Sequence, residues 1–167
     1  MKKLLLVLCM TLQTLFVVAQ AAKKITDNQF VGSWKLVSID NISADGTRVR
    51  PYGENPKGLL MFDASGNYAI QILKAVRAKI VSGDKNKCTP EENAAIVQGT
   101  NSHFGTYSVD ETNKSITFSI INASFPNWEG TQQVRSYTYN GSALKYVVTH
   151  TTQGGEAVTA EVVWKRF

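Results

Sequence analysis

The sequence predicts an all-β chain, an antiparallel up-and-down barrel of about eight strands with one short helix. Three observations lead there. Alternating apolar and polar residues recur from residue 30 to the C-terminus, in runs bounded by Gly, Pro, Asn or Asp, as in strands with one buried face. The segment Thr89-Pro90-Glu91-Glu92 breaks that period, and one helix in a meander of strands fits a barrel better than a sandwich. Finally, Gly32-Ser33-Trp34 opens the first run and Trp164-Lys165-Arg166 closes the last. Such a pair can cork a small barrel: Trp34 and Trp164 fill the floor and Arg166 stacks on an indole face. About eight strands leave room for one small ligand.

The chain begins with Lys2-Lys3, a nearly continuous apolar stretch over 4–19, and Ala19-Gln20-Ala21. Those are the charged, apolar and small-residue regions of a secretory signal peptide. Removal of residues 1–21 leaves 22–167 as one domain, with enough chain to bury a core unaided; an uncleaved anchor is the alternative. No later stretch approaches the roughly 18 apolar residues of a membrane span. A secreted or periplasmic protein without a stable span is therefore expected. Cys9 departs with the signal and leaves Cys88 alone, so no internal disulfide is expected. Beside Lys85, Lys87 and Thr89, Cys88 reads as an unpaired loop thiol. The formal charge of +5 includes Lys2 and Lys3, and the other basic residues are scattered. That pattern disfavours a nucleic-acid partner.

Along the chain, the first strand is expected over 30–39, followed by a turn at Asp45-Gly46 and a loop over 51–58 rich in Pro and Gly. Residues 58–63 and 67–73 flank Ala64-Ser65-Gly66 as a hairpin. The helix starts with Thr89 as cap, Pro90 in its first position and Glu92 closing a capping box, and stops before Gly99. Further strands are expected over 105–110, 115–122, 131–139, 144–151 and 158–167. A tight turn at Asn140-Gly141 would set Tyr137 opposite Leu144 and Arg135 opposite Tyr146. One face of that hairpin then carries Gln133, Arg135, Tyr137, Leu144, Tyr146, Val148 and His150. The opposite face carries Lys145, so the first is the interior.

Four blocks resemble the lipocalin-like domain family: Val31-Gly32-Ser33-Trp34-Lys35-Leu36-Val37-Ser38, Tyr52-Gly53-Glu54-Asn55-Pro56-Lys57-Gly58-Leu59-Leu60, Phe125-Pro126-Asn127-Trp128-Glu129-Gly130-Thr131-Gln132-Gln133-Val134-Arg135, and Val163-Trp164-Lys165-Arg166. Gly105-Thr106-Tyr107 fits the family's G-x-Y step. The Pro-Asn-Trp block is the specific part. The resemblance implies a lipocalin-type barrel with a central pocket; barrels of that type host both carriers and a few isomerases or cyclases. It also implies a His on the strand before the Pro-Asn-Trp block, where this chain has Phe118 and Ser119. That departure counts against chemistry depending on such a His.

Arg135 is the most loaded residue, because an interior guanidinium is costly unless it is paired. Either a loop carboxylate such as Glu54 or Glu129 reaches it, or it awaits an anionic ligand group. Trp128 either shields the barrel rim or stacks on a ligand at the mouth. Tyr107, Tyr137 and Tyr146 are expected inside, each with a hydroxyl needing a partner. His150 falls near its strand's end, His103 in a polar loop before a strand, and Arg77 in a loop. No metal-ligand spacing, catalytic triad order or nucleotide loop stands out, and no cofactor or catalytic residue is assigned. The expected function is binding of a small hydrophobic or amphipathic, possibly acidic, molecule. Arg135, Tyr107, Tyr137, Tyr146, Trp128 and His150 are the candidate ligand residues, and Gly32, Trp34, Trp164 and Arg166 the structural floor. The alternatives are an isomerase- or cyclase-like barrel enzyme and a structural, envelope-associated barrel.

Overall fold

The computed structural model describes residues 29–151 and 158–167. The signal-peptide expectation for residues 1–21 falls outside them. Nine strands form one antiparallel sheet: β1 (Gly32–Ile42), β2 (Arg48–Val49), β3 (Lys57–Phe62), β4 (Asn67–Leu73), β5 (Thr100–Asp110), β6 (Ser115–Ala123), β7 (Gln132–Tyr139), β8 (Ala143–Thr151) and β9 (Val158–Arg166). Each strand from β3 to β8 pairs with the next, and β1 pairs with both β3 and β9. Eight strands thereby close into an up-and-down barrel. The two-residue β2 is an outer appendage on Asn41 and Ile42.

The side chains follow the pleat. In β4, Tyr68, Ile70 and Ile72 are buried while Asn67, Ala69 and Gln71 are exposed; in β9, Ala160, Val162 and Trp164 are buried. β1 shifts register against β9 between Leu36 and Ser38, which bends the strand that closes the barrel.

The helix α1 (Pro90–Gln98) has its predicted bounds. The Thr89 hydroxyl accepts from the Glu92 amide, and the Glu92 carboxylate accepts from the Thr89 amide. Gly99 follows as its C-cap. No α1 residue is buried; its last turn, Ile96, Val97 and Gln98, lines the cavity. Cys88 is a free thiol in the connection before it.

Three local expectations need correction. The first strand begins at Gly32, and Phe30 sits in the preceding turn as a fully buried plug. β5 begins at Thr100 rather than Gly105, because Leu73, Ile72 and Gln71 of β4 supply a ladder for Thr100, Asn101 and Ser102. The third concerns the β7–β8 hairpin, in which Tyr137 pairs with Tyr146 and Tyr139 with Leu144. The Asn140 side chain accepts from the amide of Ala143 at 2.8 Å and that of Ser142 at 3.2 Å. Asn140 therefore braces the connection from outside the left-handed region, which only Gly141 enters here (φ 92°). The register moves by two residues, so parity survives and Arg135, Tyr137 and Tyr146 remain interior.

Candidate functional site

One end of the barrel is shut. Trp34, Trp164 and Phe30 are fully buried there, and the Trp34 indole N–H donates to the Phe30 carbonyl at 2.8 Å. Phe30 meets Tyr137 edge-on, with ring centroids 5.0 Å apart. The Arg166 guanidinium carbon lies 4.5 Å from the Trp34 ring centroid, and Arg166 donates to the carbonyls of Val31 (3.0 Å) and Gln29. Gly32 passes directly beneath it: a Cβ there would fall 2.9 Å from Arg166 Nη1, on a backbone with φ 128°. Of the four residues expected at the floor, Gly32, Trp34 and Arg166 meet here, and Trp164 is buried two residues back along β9, opposite Leu36.

Above the floor opens a cavity of about 1010 Å³, walled by apolar side chains such as Ile39, Ile72, Val148 and Val162. Arg135, Tyr146 and Trp128 line it. Arg135 is only 6 % exposed, and its guanidinium carbon lies 4.6 Å from the Phe118 ring centroid and 4.8 Å from that of Tyr146. One nitrogen, Nη2, donates to Gln133 Oε1 at 2.7 Å; Nε is buried and meets no acceptor. The two carboxylates weighed as its partners are engaged elsewhere. Glu54 pairs with Arg50, and Glu129 accepts from the Ala123 amide and the Asn122 side chain. Among the described residues no carboxylate forms a salt bridge with Arg135.

Trp128 follows from the Pro126–Trp128 turn of 3-10 helix and is half-buried at the mouth, 5.4 Å from the ring of Phe125. Tyr107 and Tyr137 are buried but do not line the cavity. The Tyr107 hydroxyl donates to the Asp63 carbonyl at 3.0 Å, and Tyr137 packs on the floor. His150 lies in β8, its side chain outside what is described. Arg77 is exposed in the connection after β4.

His103 is the site residue that sequence reasoning missed. With β5 beginning at Thr100, His103, Gly105 and Tyr107 share the interior parity, and His103 is 3 % exposed on the cavity wall. Its Nδ1 is 2.7 Å from the Tyr68 hydroxyl, and its ring meets Trp128 edge-on at 5.9 Å. Burial, helped by the charge of Arg135, holds its pKa down at about 3. Burial likewise pushes Tyr68 above the ordinary phenol value, with Arg135 opposing in part. Extending the alternation backward from Tyr107 through Gly105 would have found this histidine.

Chemically, the wall offers a fixed cation, a neutral imidazole and aromatic faces around apolar space. Among the described residues no group of three or more His, Cys, Asp or Glu could hold a metal ion, and no helix is long and apolar enough to cross a membrane. No curated protein matches the chain. The model of the lipocalin-like domain family matches residues 31–167, from the floor-forming turn through β9. With the closed eight-stranded barrel and its pocket, that match settles the kinship: the chain belongs to the lipocalin-like domain family.

Proposed function

We propose that this is an exported binding protein that holds a small, partly apolar molecule in its barrel, with a polar or acidic head at Arg135. The observation that carries the reading is the buried Arg135, which lines the cavity and has no carboxylate partner among the described residues. An incoming anion would supply the missing acceptor. The rest of the affinity would come from apolar ligand surface leaving water, in a cavity of ordinary ligand size. Export rests on the Lys2-Lys3, apolar 4–19 and Ala19-Gln20-Ala21 pattern.

The open cavity favours this reading over a purely structural barrel with a filled interior. An isomerase or cyclase would need a group that exchanges protons near neutral pH. His103 at about 3 and a Tyr68 raised above its usual value are poorly tuned for that. Native mass spectrometry of the protein purified from its own host tests the proposal. A co-purifying small molecule is expected, lost or reduced at least about 10-fold in Arg135→Ala. A protein that carries nothing and takes up no amphipathic acid overturns the reading.

A further inference from the structure

The hydrogen-bonding requirements of a buried phenol decide how His103 is protonated. The Tyr68 and His103 side chains are both buried, and each has the other as its one hydrogen-bond partner among the described residues. A phenol out of water must place its proton on an acceptor. The acceptor within reach is His103 Nδ1, so the Tyr68 hydroxyl donates to it and the ring carries its own proton on Nε2. Reversing the bond would leave the phenol proton without an acceptor. A second proton on the ring is disfavoured by burial and by the charge of Arg135. Nε2–H is therefore a neutral donor with no protein acceptor among the described residues.

Phe118 connects this donor to the cation. Its ring lies 4.6 Å below the Arg135 guanidinium and 6.3 Å, edge-on, from the His103 ring. Both groups line the same cavity. We infer that His103 Nε2–H and the free N–H groups of Arg135 form a donor-only cradle for the carboxylate of an apolar organic acid, with Tyr68 as the positioning residue that fixes the imidazole. The inference rests on the cup being a ligand site and names the head group it selects. A carboxylate brings acceptors alone and can satisfy both donors. An alcohol or amide brings a proton as well; Gln133 Oε1 already receives Arg135 Nη2, and the unpaired Oδ1 atoms of Asn41 and Asn101 on the same wall are buried out of reach of the cavity space. Leaving such a proton unpaired in a buried site weakens binding.

Titration of the purified protein with 11-(dansylamino)undecanoic acid and with the matched alcohol tests the cradle. The wild type is expected to hold the acid at least about 10-fold more tightly than the alcohol. His103→Leu should lose about 10-fold toward the acid and little toward the alcohol, and His103→Gln, whose amide can donate, should recover most of the loss. Long-range proton–nitrogen NMR of the wild type should show His103 in the Nε2–H form, and Tyr68→Phe should release a mixture of tautomers. A His103 carrying its proton on Nδ1 overturns the inference without recourse to any variant. So does unchanged acid affinity in His103→Leu when Arg135→Gln abolishes it, which would leave the binding proposal standing on Arg135 alone. Uptake of neither probe by the wild type would sink both readings.

Discussion

A guanidinium without a carboxylate partner is an expensive group to bury, and Arg135 shows how a barrel can keep one. Two aromatic faces and one amide oxygen compensate part of its lost hydration, and the residue lines the cavity. Its inward direction was legible from strand parity alone. His103 was not, because Asn101 and Ser102 just before it are poor strand formers, and that stretch extends through its pairing with β4. Gly105, two residues on, is constrained by close approach. A Cβ there would lie 2.0 Å from the Ser119 carbonyl oxygen, beside the register shift between β5 and β6. The Gly in the family's G-x-Y step thus has a steric reason in this chain. Gly105→Ala should destabilise by about 3 kcal/mol, read from urea unfolding; a loss under 1 kcal/mol would mean that β6 yields easily.

The elements divide by how local their instructions are. α1 was legible to the residue because its start and stop are written in consecutive positions, from Thr89 to Gly99. The β7–β8 register was not, since the same Asn140-Gly141 pair can serve as central turn residues or as a brace with the strands offset by two. What tipped it was the Asn140 side chain, which satisfies two amides only in the second arrangement. The cap of α1 can be loosened without touching the core, because the helix buries no residue. Thr89→Ala should cost the helix about 1 kcal/mol, seen as roughly fivefold faster amide exchange over 90–98. The global melting temperature should stay within about 2 °C, and a much larger drop would show that α1 shares the cooperativity of the barrel.

At the scale of the molecule, one buried imidazole sets an acid sensitivity. In the unfolded chain His103 takes up a proton near its ordinary 6.5, whereas in the barrel it resists down to about 3. Between those values the unfolded state binds the extra proton, so stability falls with falling pH by at most about 1.4 kcal/mol per unit. Asp63, held below the usual carboxylate range by the side chain and then the backbone amide of Asn67, and Asp110, held there by the backbone amide and then the side chain of Asn113, add their own losses only at lower pH. Urea midpoints at pH 7 and pH 5 should therefore differ clearly in the wild type and much less in His103→Gln. The only other histidine, His150, is present in both proteins and cancels in the comparison. A wild type equally stable at the two pH values would contradict the burial of a neutral His103.

The pairing of β1 with β9 also bears on how copies of this protein behave in a crowded solution. Among the described residues each of the eight barrel strands pairs with a neighbour on both sides, and the free edge is that of the two-residue β2. Parting β1 from β9 would create two free rows of amides and carbonyls at once, eleven and nine residues long, the second carrying three valines and a tryptophan. Lys35 beside Lys165 and Asp40 beside Glu161 decorate the outside of that junction with charge, which discourages stacking while the barrel stays shut. The strand pair that completes the vessel is thus also what keeps one molecule from templating the next.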